Sequence, residues 1–263
     1  MSMQALLFDS HTHLDDPQFD PDRDTLIQSL PAAGLYGCLT CGCDADSSRF
    51  CLELAQKYPF VHAAAGIHPH DAGKEKPGDL DQIKALLREK EVVAVGEIGI
   101  DHYYDFCPRD VQRSLLIRQM DLAVEMDLPV ILHVRDAHGA MMEILRERKG
   151  RIPRGVMHCF SGSAETAEEY QALGFYISFS GSVTFKNAKK LVRAAQAVAK
   201  DRLMIETDCP SLSPEPYRGQ RNDPGKVAFI CAALADIRKE SYEEVARRST
   251  NNACTLFGLP RPA

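Results

Sequence analysis

The sequence predicts an α/β fold, a single (βα)8 TIM barrel spanning residues 1–263. Three observations lead there. Strand-like and helix-like patterns alternate about eight times, with a repeat of roughly thirty residues, as βαβ units require. Several strand segments are apolar throughout, as expected when both faces of a parallel sheet are covered. The chain has 263 residues, a usual length for such a barrel, and no Gly-, Pro- or Ser-rich linker divides it. An open doubly wound sheet is the runner-up, but no GxGxxG follows the first strand.

The first strand reads as Ala5-Leu6-Leu7-Phe8, an apolar run too short for a helix. Asp22 to Ala33 follows as a helix closed by Gly34. Leu35 to Thr40 is the second strand, and Ala45 to Tyr58 a helix ending before Pro59. Phe60 to Gly66 is the third strand, Leu80 to Lys90 a helix, and Val92 to Gly96 an apolar fourth strand. Arg109 to Asp127 carries Leu115, Leu116, Met120, Ala123 and Val124 along one face at helical spacing, so these are core residues. Pro129 to Leu132 is the fifth strand, followed by a helix from Ala137 to Arg148. Gly155 to Met157 opens the sixth strand, followed by a helix from Ala164 to Leu173. Phe175 to Ser180 is the seventh, followed by Ala188 to Lys200. Leu203 to Ile205 is the eighth, with helices at Gly225 to Lys239 and Tyr242 to Leu256.

Hydrophobic content of 44% and charged content of 26% describe an ordinary globular protein rather than a disordered or fibrous one. No apolar run has the length of a membrane span, and no secretory leader opens the chain, so cytoplasmic residence is expected. The nine cysteines then read as free thiols of a reducing compartment, and Cys38, Cys41 and Cys43 as buried groups at a strand end. A net charge of −6 argues against a broad surface for clamping duplex DNA. It leaves room for a phosphate-bearing substrate held locally.

In these barrels chemistry sits at the C-terminal ends of the strands, and six of the nine histidines fall there. His11 and His13 follow the first strand, and residues two apart on extended chain point the same way. His68 and His70 follow the third strand, His133 the fifth and His158 the sixth. Glu97 follows the fourth strand, and Glu206-Thr207-Asp208 the eighth. Each alone is explained by an ordinary buried side chain. Together, imidazoles and carboxylates converging on one barrel mouth need compensating positive charge, which one or two divalent cations provide. The mixture suits Zn, Mn, Ni or Co, whereas Mg prefers more oxygen.

Glu97 could bridge two ions sharing an activated water, and Asp208 could ligate and take that water's proton. Arg135, two residues beyond His133, is a candidate clamp for an anionic oxygen, against the alternative of an ion pair with Asp136 or Glu143. Glu206 joins Arg135 and His68 as an expected substrate-binding residue. Tyr103, Tyr104 and Phe106 could stack bases or simply pack.

The segments Asp9-Ser-His11-Thr-His13-Leu14, Gly66-Ile-His68-Pro-His70, Gly96-Glu97-Ile-Gly99-Ile-Asp101, His133-Val-Arg135-Asp-Ala137, His158-Cys-Phe-Ser-Gly162 and Glu206-Thr-Asp208-Cys-Pro210 together resemble the TatD family of metal-dependent deoxyribonucleases. So do Pro216 to Pro224 and Asn252 to Phe257. The family is amidohydrolase-like, and the resemblance implies His11, His13, Glu97, His133, His158 and Asp208 as metal ligands, with Glu97 shared. It also implies that His68 lies near a substrate phosphate. Many members are called Mg-dependent nucleases, some acting 3′ to 5′ on single strands. Thr12 stands where many members have Cys, and His102 where Tyr is usual; neither is an expected ligand. DNA is thus the leading substrate. Hydrolysis of another ester, such as a small phosphoester or an aminoacyl ester, is the alternative, and a non-catalytic metal-binding protein ranks below both.

Overall fold

A computed structural model describes residues 6–262; Ala5 of the expected first strand and Ala263 lie outside them. Eight parallel strands form one sheet in sequence order: β1 (Leu7–Thr12), β2 (Leu35–Cys41), β3 (Val61–Ala65), β4 (Val92–Asp101), β5 (Val130–Arg135), β6 (Gly155–Met157), β7 (Tyr176–Phe179) and β8 (Leu203–Ile205). Between them run α1 (Arg23–Ser29), α2 (Ala45–Lys57), α3 (Asp79–Leu86), α4 (Arg109–Met126), α5 (His138–Glu147), α6 (Ala164–Ala172) and α7 (Lys189–Ala197). After β8 come α8 (Val227–Arg238) and α9 (Tyr242–Phe257). This is the expected TIM barrel. No helix among the described residues is long and apolar enough to cross a membrane.

The main core lies between the sheet and the helices, where Leu7, Ile27, Cys51, Leu115, Met141 and Ile230 are buried. A second cluster collects Phe8, Leu39, Ala64, Ala94, Ile131, Val156 and Met204 from the strands, with Phe257 at the end of α9 packed against Phe8. Alternate strand residues thus fill the barrel while their neighbours face the helices, as the period-two pattern requires.

Several expected bounds change, β1 and β5 running on to Thr12 and Arg135 among them. The helix expected over Asp22 to Ala33 stops at Ser29. Pro31 has no N–H to donate, so Pro31–Ala33 forms a 3-10 turn ending at Gly34 with φ 92°. β4, expected to end at Gly96, continues to Asp101 through a register shift between Val95 and Ile98. A second shift lies between Asp9 and Thr12 in β1. Such irregularities re-aim side chains, and Glu97 and His11 sit within them.

The seam between β1 and β8 carries one isolated parallel bridge, Thr12 to Cys209. Backbone bonds from Asp208 N–H to the His11 carbonyl (3.0 Å) and from His13 N–H to the Cys209 carbonyl (2.9 Å) support it. Side chains add to them. The buried Asp9 carboxylate accepts from Thr207 N–H (2.8 Å) and its hydroxyl (2.6 Å), and Ser10 Oγ donates to the Ile205 carbonyl at 2.9 Å.

Candidate metal centre

Glu97 is the hub of the site. Its carboxylate is buried, and its two oxygens face different groups of imidazoles. Oε1 lies 2.8 Å from His133 Nδ1, 2.8 Å from His158 Nε2 and 3.3 Å from His68 Nε2. Oε2 lies 3.3 Å from Nε2 of both His11 and His13. Asp208 Oδ1 approaches His13 at 3.6 Å and His11 at 3.9 Å. Burial alone would raise the Glu97 carboxyl, but His158, His68 and His11 outweigh it and hold the pKa well below the usual range. Burial likewise works against ionisation of Asp208, and the His13 contact and neighbouring imidazoles pull its pKa down.

The donors form cradles. His11, His13 and Glu97 can converge on one ion, and Glu97, His133 and His158 on another; His11, His158 and Asp208 also lie within reach of a common centre. The histidines are held for this. His13 Nδ1 sits 3.0 Å from the Cys41 carbonyl, which accepts its proton and leaves the Nε2 lone pair 3.1 Å from His11 Nε2. Two imidazole nitrogens meeting edge to edge over a carboxylate oxygen fit a bound cation. Behind His133, Asp101 Oδ2 lies 3.1 Å from Nε2; behind His158, Glu206 Oε1 lies 3.3 Å from Nδ1. All six expected ligands therefore reach one place, and the nitrogen-rich set fits divalent ions.

Glu206 is placed elsewhere than the sequence suggests. It is wholly buried behind His158, where its carboxylate accepts the Cys159 N–H, and it does not border the cleft. Short β8 ends at Ile205, so Glu206 points back into the barrel wall while Asp208 reaches the mouth.

The cleft above the cradle has a volume of about 810 Å³, and His68, Glu97, Arg135, Ser161, Lys190 and Asp208 border it. His68 Nδ1 accepts the His70 N–H at 3.1 Å, which assigns its proton to Nε2. Burial pushes its pKa down to about 4. His68 is thus a neutral donor at the cleft floor, and it also lies within reach of a common centre with His70 and His133. Arg135 has no carboxylate partner among the described residues. Its guanidinium lies 4.3 Å from the Tyr103 ring centre and 4.9 Å from that of Tyr104, which itself stacks on Phe106. All three aromatic side chains are exposed.

Asp101 is the supporting residue that sequence reasoning leaves without a role. Fully buried, it bonds His70 Nε2 (2.8 Å) and His133 Nε2, and accepts the Tyr103 and Tyr104 N–H groups, both at 2.9 Å. Burial favours its neutral form, but these donors outweigh it and keep the carboxylate strongly acidic. The signal was the alternation Glu97-Ile98-Gly99-Ile100-Asp101, which carries the strand pattern past Gly96 and sets Asp101 at its end. Cys41 and Cys43 also touch the site, their sulfurs 3.5 Å and 3.8 Å from Nδ1 of His11 and His13. Cys41 is buried as expected, whereas Cys43 borders the cleft, and burial raises its pKa to about 11.

A family model described as "TatD related DNase" matches residues 8–258. An uncharacterized metal-dependent hydrolase of Bacillus subtilis, YabD, is 41% identical over 97% of this chain and 100% of its own. A protein of Klebsiella pneumoniae named 3′-5′ ssDNA/RNA exonuclease TatD is 33% identical over 96% of this chain and 98% of its own. The crystal structure of the TatD homologue YjjV of Escherichia coli superposes with a TM-score of 0.91. It is 35% identical and covers 98% of this chain and 100% of the other.

Proposed function

For a chain that belongs to the TatD family of metal-dependent hydrolases, we propose hydrolysis of phosphodiester bonds in nucleic acid, removing nucleotides from the 3′ end of a single strand. The observation that carries this reading is the split Glu97 carboxylate, one oxygen toward His11 and His13 and the other toward His133 and His158, at the floor of an open cleft. Those residues and Asp208 would hold two divalent ions, for which the donor set favours Zn, Mn, Ni or Co over Mg. Bound there, the ions supply Lewis-acid polarisation of the phosphoryl group and acidify water.

The chain's own groups do the rest. Asp208 is ionised and accepts the proton of the attacking water. His68 Nε2–H donates to a phosphoryl oxygen, and Arg135, already desolvated on one face by the tyrosines, holds another. The exposed Tyr103, Tyr104 and Phe106 rings beside it suit unpaired bases, which stack where a duplex would hide them. A terminal single strand also suits a chain of net charge −6, because it needs cationic contacts at only a few phosphates. The name carried by the Klebsiella relative points the same way.

Digestion of 5′-labelled single-stranded DNA by metal-loaded protein, with Glu97→Ala and Asp208→Asn alongside, tests the reading. A descending ladder lost in both variants is the expected result. No shortening with Mg, Mn, Ni or Zn by a folded, loaded wild type would overturn it, and turnover of small phosphoesters instead would favour the alternative substrate.

A further inference from the structure

One wall of the cleft takes no part in the chemistry above. Ser161, in the loop after β6, borders the cleft, as does the exposed Lys190 at the start of α7. Behind Ser161 lies a chain of polar groups leading into the core. His138 Nε2 is 3.4 Å from Ser161 Oγ, and His138 Nδ1 is 3.2 Å from the hydroxyl of Tyr170, a wholly buried side chain on α6. Gly162 lets the loop approach this closely: a Cβ there would lie 3.1 Å from His138 Nε2 and 2.5 Å from Phe160.

Two polarities are open to the chain. Tyr170 O–H can donate to the His138 carbonyl at 3.5 Å and accept from Nδ1–H, or donate to Nδ1 at 3.2 Å and so place the imidazole proton on Nε2; an anion in the cleft selects the second. Nε2–H then donates to Ser161 Oγ, and the serine proton is left to point into the cleft. Burial, helped by Lys190, lowers the His138 pKa to about 4, so the ring stays neutral while relaying this order.

We infer that Ser161 and Lys190 form a second phosphate subsite, in which the hydroxyl donated through Tyr170 and His138 and the Lys190 ammonium hold the phosphate next to the one being cleaved. The inference rests on the nuclease reading and narrows it: the substrate is an oligonucleotide that presents at least two consecutive phosphates, and a lone phosphomonoester leaves this wall unused. Ser161 touches substrate. His138 and Tyr170 are positioning residues acting through it.

The test is a kinetic series on single-stranded oligonucleotides in which phosphates near the 3′ end are replaced singly by neutral methylphosphonate. Removing a hydrogen bond to a charged group raises KM by about tenfold in Ser161→Ala, with kcat nearly unchanged. Tyr170→Phe, which keeps the buried ring, shows a smaller rise in KM, and Ser161→Thr restores the wild-type value. In the wild type, one replacement beside the scissile bond raises KM comparably, and at that position alone Ser161→Ala adds nothing further. A purely structural serine would instead lower the melting temperature and penalise every substrate alike, which would overturn the inference. Unchanged KM in Ser161→Ala would also overturn it while leaving the nuclease reading intact. Absence of cleavage by the wild type would remove both.

Discussion

Replacing Asp101 by Asn keeps the shape of a buried side chain while changing what it can accept. The carboxylate takes four donors: His70 and His133 through Oδ2, and the Tyr103 and Tyr104 N–H groups through Oδ1. An asparagine can keep its oxygen toward the two backbone N–H groups, which turns its NH2 toward His133 Nε2. Donor then meets donor. The relief open to His133 is to move its proton to Nδ1, the nitrogen that faces Glu97 Oε1 at 2.8 Å. That nitrogen then has no lone pair to offer, and the Glu97–His133–His158 cradle loses a ligand. Turning the amide over instead sets its NH2 against two backbone donors. Loss of such a partner behind a ligating histidine typically costs about 10- to 100-fold in metal affinity, or about 1.4–2.7 kcal/mol. The His11–His13–Glu97 cradle, braced by the Cys41 carbonyl, keeps its ion. Competition between the protein and a chromophoric chelator for Mn or Zn near neutral pH reads both sites. The expected outcome is one site of wild-type affinity and one weakened. A folded Asp101→Asn variant that binds two ions as tightly as the wild type would refute the tautomer argument.

Two further outcomes follow from groups outside the cradle. His138 has a folded pKa of about 4 against an ordinary value of 6.5, so below 6.5 the unfolded chain takes up a proton that the folded one refuses. Stability from this residue is complete above 6.5 and declines as pH falls toward 4, by at most about 3 kcal/mol; comparing urea unfolding of wild type and His138→Gln across that window isolates it, and parallel pH curves would contradict it. Gly99 pairs with His133 across β4 and β5, and a Cβ on it would lie 1.9 Å from the His133 carbonyl oxygen. Gly99→Ala is therefore expected to cost about 3 kcal/mol and to lower metal occupancy by moving His133, whereas Gly139→Ala, with open space around it, leaves thermal melting unchanged or slightly raised.

How far the sequence could be read follows from what a strand pattern contains. Period two tells which residues share a face, so His11 with His13 was legible, and their Nε2 atoms meet at 3.1 Å. The barrel rule put His68, His133, His158 and Asp208 on the same rim. Pattern does not tell which residue of one strand lies beside which residue of the next. Asp101 supports His133 only because β4 runs five residues past Gly96 and pairs Gly99 with His133, which depends on a register shift that no local run of residues announces. Glu206 shows the converse: two residues from Asp208, it shares a parity that would bring both to the mouth on regular extended chain. The strand ends at Ile205, and Asp208 adopts φ 55°, so the two carboxylates part.

The seam between the first and last strands has a consequence for how the molecule comes into being. It is closed by one backbone bridge and by polar side chains, Asp9 to Thr207 and Ser10 to Ile205, the first pair 198 residues apart in the chain. On a ribosome, His11 and His13 emerge early and Asp208 late, so a nascent chain lacking β8 presents an open ring, an Asp9 without its Thr207 donors and an unfinished set of ligands. The set of expected ligands is thus complete only once the ring is shut. Proteolytic sensitivity of β1 in truncated and complete chains, with and without metal, would follow that moment directly.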